Sequence, residues 1–177
     1  MDEQMTKAAV SPEQTILFDK AVSFIQSIGI PVRFCTLEGY CFLPGISIKN
    51  GEIVVDREKL KYAGDILHEA GHIAVVPEKD RSTLNEETII KREQRDAEEM
   101  MVIAWSYAAC VHLGIDACFV FHDEGYKGGG SYIADNFKNG NYFGVPMLQW
   151  TGMALGKKDE EKPGLPVYPS MLQWLRS

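Results

Sequence analysis

Ile46-Ser47-Ile48-Lys49-Asn50-Gly51-Glu52-Ile53-Val54-Val55, with Asp56 and the apolar-periodic run Leu60 to Ala74 behind it, is the stretch that decides the fold. Two β-branched runs meet at Asn50-Gly51, a pair that tolerates positive φ at both turn positions, so a hairpin is predicted. Asp56 then reads as an N-cap, with Glu58 in the first turn complementing the helix dipole. The helix it opens carries Leu60, Ala63, Ile66, Leu67, Ile73 and Ala74, and Pro77 limits its end. A hairpin followed by a helix with a clear apolar face predicts an α+β domain, in which a small, mainly antiparallel sheet packs on helices.

Upstream, Ile16, Leu17, Ala21, Phe24 and Ile25 recur at helical spacing from Pro12 to about Ile28, and Gly29 ends that run. Pro31 to Leu37 reads as a strand. Downstream, Glu78 to about Asn85 is polar and forms a loop. Thr83-Leu84-Asn85-Glu86 has the capping-box pattern for a helix that runs from about Leu84 to Leu113 and stops at Gly114. Ala117 to Phe121 is expected to be a short strand or extended segment, and Ser131 to cap a helix reaching Phe137. The two Met-Leu-Gln-Trp stretches, 147–150 and 171–174, are read as amphipathic helical packing segments, and 156–166 as a linker. The organisation predicted is a flexible tail over 1–12 and a single domain over 13–177, with a helical C-terminal extension from about 115.

The 177 residues include 45% apolar and 24% charged side chains, enough for a core that needs no disulfide or metal staple. A formal charge of −7 argues against a nucleic-acid partner, because neutralising phosphates takes clustered Lys and Arg. No apolar run reaches the ~18–20 residues of a membrane span, and the acidic start Met1-Asp2-Glu3 lacks a signal-peptide pattern. Cys35, Cys41, Cys110 and Cys118 form no CxxC pair and no framework, so reduced thiols and a cytoplasmic location are expected. Nothing in the sequence specifies an oligomeric state.

His68-Glu69-Ala70-Gly71-His72 is the motif that carries chemistry. On a helix, residues at i and i+4 share a face, so both imidazoles reach one cation. Glu69 stands one position round, where it reaches a metal-bound water without ligating the ion. Two neutral imidazoles on Zn²⁺ and a carboxylate that accepts the water's proton are what hydrolysis needs. Zinc also requires a third protein ligand. The HExxHxxGxxH arrangement is absent, since Val75 and Glu78 stand where its glycine and third histidine would fall. A carboxylate on the next helix is therefore sought among Glu93, Asp96, Glu98 and Glu99. The pair Glu98-Glu99 borders the apolar segment that starts at Met100.

His68-Glu69-Ala70-Gly71-His72, followed on the next helix by Glu99-Met100-Met101-Val102-Ile103-Ala104, resembles the short gluzincin metallopeptidases of the ImmA/IrrE type. The resemblance covers roughly residues 13–113. It implies a zincin-like fold and Zn²⁺ held by His68, His72 and Glu99, with Glu98 as the alternate third ligand. It also implies a peptide or protein substrate hydrolysed with Glu69 as the catalytic base. The chain departs from that pattern in lacking a Glu-Ala-Asn triplet and in its C-terminal third. The alternative function is a non-catalytic zincin-like sensor or partner-binding module, with Trp150 and Trp174 occupying the groove or docking a partner.

Around the motif, Asp65 lies one turn before His68 and is expected to accept a hydrogen bond from a ligand imidazole. His122 is a candidate electrophile for a developing oxyanion, and Tyr126, Tyr132 and Tyr142 are candidate phenols for the same task. His112 reads as a helix C-terminal residue favoured by the dipole.

Overall fold

The structure is a computed structural model that describes residues 10–39, 41–156 and 164–177. Residues 1–9 of the tail expected over 1–12, and 157–163 of the linker expected over 156–166, lie outside the described residues. Helix α1 (Pro12–Ser27) begins where Ser11 accepts the Gln14 N–H at 3.2 Å and Pro12 sets the first helical φ. Losing such a cap costs about 1 kcal/mol.

The strands are β1 (Val32–Phe34), β2 (Ile46–Lys49) and β3 (Glu52–Val55). The Asn50-Gly51 hairpin forms as expected, with φ of 53° and 74° at its two turn residues. The sheet itself is mixed rather than mainly antiparallel. Its order is β1-β3-β2, with β1 parallel to β3 in the register Val32↔Ile53 to Phe34↔Val55. The connection 35–45 carries the chain past the sheet edge, so the hairpin inserts its second strand beside β1. Asp56 anchors that connection by accepting the Leu37 N–H at 2.9 Å and the Glu58 N–H at 3.1 Å. It therefore does not cap the next helix, which starts later.

That helix is α2 (Asp65–Val75). An amphipathic helix was expected, yet nine of its eleven residues are buried, and the other two are His68 and His72. A helix apolar on nearly every side belongs in the centre of a fold. Helix α1 and the sheet pack on one part of its surface and α5 on another.

The single long helix expected over 84–113 is two helices, and the loop expected from Glu78 to Asn85 begins with a third. Asn85 and Thr88 form a reciprocal capping box that opens α4 (Glu86–Ile90), after the short α3 (Glu78–Arg81). The chain breaks at Lys91 to Gln94, and this lets Arg92 reach both Asp80 and Glu98. Helix α5 (Arg95–Leu113) then runs to Gly114, whose left-handed φ of 63° ends it.

Gly71 fixes how close α2 and α5 come. A Cβ there would lie 2.9 Å from Val102 Cγ1 and 3.4 Å from Trp105 Cε3.

Ala117–Phe119 is a 3-10 turn, not a strand, because Asp116 accepts the Cys118 N–H at 2.8 Å and closes the turn. Helix α6 (Gly130–Lys138) already includes Ser131, and α7 (Val145–Trp150) contains the first Met-Leu-Gln-Trp stretch. The second stretch is not helical. Met171 bridges to Ala154, and Trp105 Nε1 donates to the Trp174 carbonyl at 2.9 Å, which pins the segment over α5. Trp174 packs edge-on against Phe24 and Trp105, whereas Trp150 is 90% exposed. His112, in the last turn of α5, lies against the Phe24 and Trp174 rings.

One apolar cluster runs from Phe18 to Tyr168, so the C-terminal helices share the core of the α2–α5 layer. The molecule is thus α+β, with seven α-helices and a three-stranded mixed sheet among the described residues. No described helix is long and apolar enough to cross a membrane.

Candidate metal centre

His68 and His72 are held by the backbone hydrogen bonds of α2, with ring centroids 4.8 Å apart and the ring planes nearly perpendicular. Opposite them, one turn into α5, stands Glu99. Its Oε1 is 3.3 Å from His68 Nε2 and its Oε2 is 3.5 Å from His72 Nε2. Three ligand atoms, one from each residue, lie within 4.8 Å of one another. A tetrahedral zinc with bonds of about 2.0–2.1 Å needs ligand atoms about 3.3–3.4 Å apart, close to the two nitrogen–oxygen distances here. Two imidazoles and a carboxylate are also a donor set that suits zinc. The residues present therefore fit the ion. Among the described residues no fourth protein donor joins the cluster.

The neighbouring glutamate behaves differently. Glu98 is buried on another side of α5 and takes a two-pronged ion pair from Arg92, at 2.6 and 2.8 Å. Of the two acidic residues considered, Glu99 is the one placed beside the histidines.

The charges of the cluster are strongly interdependent. Burial works against the charged form of His68, but the hydrogen bond and charge of Glu99 outweigh it and raise the pKa. Burial, reinforced by the positive charge of His68, takes His72 down to about 3. Burial also opposes ionisation of Glu99, yet the hydrogen bond from His68 and the charges of both histidines and Arg95 bring it to about 2. An ionised carboxylate and a neutral imidazole are the forms that ligate.

Glu69, 9% exposed, is raised to about 7 by burial, against the pull of His68 and with help from Asp65, Glu86 and Glu99. A dication in the cluster would oppose that rise.

The residues around the site are rearranged from the sequence expectation. Asp65 does not reach His68 by a hydrogen bond. It pairs with His122, whose Nε2 lies 2.8 Å from Asp65 Oδ1. His122 Nδ1 accepts the Gly125 N–H at 3.1 Å, so Nε2 carries the proton and donates it to Asp65. Tyr62 stacks on the ring at 4.1 Å. Both nitrogens of His122 are thus occupied, and the ring has no N–H left for an oxyanion. Desolvation raises the Asp65 pKa, with His122 opposing.

The partner of His68 is Tyr126 instead, with Oη 3.0 Å from Nδ1. Of the three tyrosines named as candidates, Tyr132 is 72% exposed and Tyr142 packs against Tyr107, Phe137 and Tyr168. Only long-range packing distinguishes Tyr126. Its loop folds back because Gly64 leaves room for the Phe119 carbonyl, which a Cβ would approach to 1.7 Å, and Gly130 does the same for Phe121. Those glycines were the available signal.

No protein-family model, curated protein or solved structure matches the chain.

Proposed function

We propose that this chain is a zinc-dependent hydrolase, a metallopeptidase of the short gluzincin type with a zincin-like fold, similar to the ImmA/IrrE group. The observation that carries the reading is the His68–His72–Glu99 cluster. Two partly exposed histidines on an otherwise buried helix face a carboxylate from the next helix, with one ligand atom from each residue within 4.8 Å of the others. Three protein donors leave a fourth position for water or substrate, as catalytic zinc sites do. A non-catalytic module would be expected to fill that position from the protein.

Zinc held there would polarise the substrate carbonyl and acidify water at the fourth position. Glu69, next to His68 on α2, would take the proton from that water and return it to the leaving amine. With His68 Nε2 on the ion, its Nδ1 would carry the proton and donate it to Tyr126 Oη, 3.0 Å away. The tyrosine keeps its own hydroxyl proton, since burial raises its pKa well above the ordinary phenol value. That proton is free to stabilise negative charge developing on a carbonyl oxygen.

The test is elemental analysis of protein purified without added metal, joined to cleavage of a peptide library by the parent and by Glu69→Gln. One zinc per chain in both, with turnover lost by at least about a hundredfold in the variant, is expected. Equal cleavage by the two proteins would overturn the mechanism.

A further inference from the structure

The sequence holds six arginines, and five of them have partners. Arg33 pairs with Glu52, Arg57 with Asp19, and Arg92 with Asp80 and Glu98. Arg81 and Arg176 donate to backbone carbonyls of the α2 C-terminus. The Arg95 side chain has no hydrogen bond or ion pair among the described residues and is exposed. Its place on α5 is specific. It stands at i−4 from Glu99, so the two residues share a face of the helix, one turn apart.

The helix terminus does not favour this residue. Arg95 is the first residue of α5, where the dipole disfavours a cation, and Gln94 supplies no side-chain cap. The charged side chains that α2 places beside the two histidines, Asp65 and Glu69, are both acidic and both buried. An unpaired guanidinium on α5 gives the site one place where an anion is favoured. A guanidinium binds a carboxylate through two parallel hydrogen bonds, which fixes orientation as well as supplying energy.

We propose that Arg95 is the specificity residue of the site and binds a carboxylate of the substrate next to the scissile bond. This rests on the hydrolase reading above, and it narrows the substrate class to peptides with an acidic group at that position. The carboxylate is either a free chain end, which makes the enzyme a carboxypeptidase, or an Asp or Glu side chain.

Three probes separate these sources: N-acetyl-Ala-Ala, N-acetyl-Glu-Ala-amide and the neutral N-acetyl-Ala-Ala-amide. Their binding to the full chain is measured by calorimetry with and without zinc, for the parent, Arg95→Gln and Arg95→Lys. In the parent, one of the acidic probes binds about tenfold or more tighter than the neutral amide, as a charge-assisted hydrogen bond implies. Whichever acidic probe gains identifies the source. The preference falls to about one in Arg95→Gln and is partly kept in Arg95→Lys. A preference that survives Arg95→Gln unchanged, including one seen only with zinc bound, would assign it to the ion and overturn the proposal. So would a parent with no preference in either state. Zinc content measured on the same samples reports on the hydrolase reading separately, because loss of preference in the metal-free variant does not depend on turnover.

Discussion

Tyr126 Oη lies 3.0 Å from His68 Nδ1, a contact that spans 58 positions of sequence and ties the loop after the 3-10 turn to the His68–His72–Glu99 cluster. The hydrogen bond fixes which nitrogen of His68 faces Glu99 and holds the ring plane, the usual task of an outer partner to a ligating histidine. Tyr126→Phe keeps the ring and its packing against Phe121 while deleting only the hydroxyl. Zinc affinity, measured by competition with a chelator, is expected to fall about tenfold, within the 10–100-fold that such partners contribute. Thermal stability should change little. An unaltered affinity would show that His68 is oriented by the backbone of α2 alone.

Glu98 and Glu99 are adjacent in sequence and serve different ends, so the same substitution should separate them. Glu98→Gln removes a charge-assisted pair at a residue 5% exposed, and a loss of about 1.5–3 kcal/mol in unfolding free energy is expected with zinc affinity nearly intact. Glu99→Gln removes the partner of His68 at a side chain 41% exposed, so it should cost the metal-free protein some stability, but less than Glu98→Gln does. Its zinc affinity should drop by more than about a hundredfold, since a direct ligand counts for more than an outer partner. Urea unfolding of the metal-free variants and zinc titration read the two quantities. The opposite pattern would move the third ligand to Glu98.

Periodicity carried the local part of this fold and missed what long-range packing decides. The Asn50-Gly51 turn was legible because its chemistry is confined to two residues, and the spacing of His68 and His72 because a helix enforces it. The parallel pairing of β1 with β3 was not, since it depends on how the connection 35–45 folds over Asp56. The break between α4 and α5 was hidden for a similar reason. Lys91 to Gln94 are good helix formers, and it is the pairing of Arg92 with Asp80 and Glu98 that rewards leaving the helix. Asp65 and His122 were both picked out near the site, but as separate helpers of the metal. That they bond each other follows only from where the loop after Phe121 lands.

Gly71 is the point at which core packing and the candidate site meet. Alanine would favour the helix by about 1 kcal/mol over glycine, while its Cβ would press on Val102 and Trp105 in a filled core, a strain of about 1–3 kcal/mol. The net expectation for Gly71→Ala is a loss of up to about 2 kcal/mol, or several degrees of melting temperature for a chain of this size. Relief of the clash moves α5 away from α2 and Glu99 away from the histidines, so zinc affinity should fall along with stability. A variant that is more stable and binds zinc as tightly as the parent would show that the interface has slack.

Asp56 provides a test of the sheet connection through pH. Its carboxylate, 5% exposed, accepts the Leu37 and Glu58 N–H groups, and the bond from Leu37 is the main reason its pKa lies below the ordinary Asp value, with burial opposing. A group whose folded pKa is depressed binds fewer protons in the folded state than in the unfolded one. Its contribution to stability is therefore present above the unfolded value of about 3.9 and is lost as pH falls through the folded value. Asp56→Asn replaces the charged acceptor with an amide that does not ionise. The gap in urea midpoint between parent and variant should be full at pH 7 and at pH 5, and should narrow on acidification below about pH 4. A gap of the same size at pH 3 as at pH 7 would mean that shape, rather than the ionised carboxylate, holds Leu37 in place and keeps β1 beside β3.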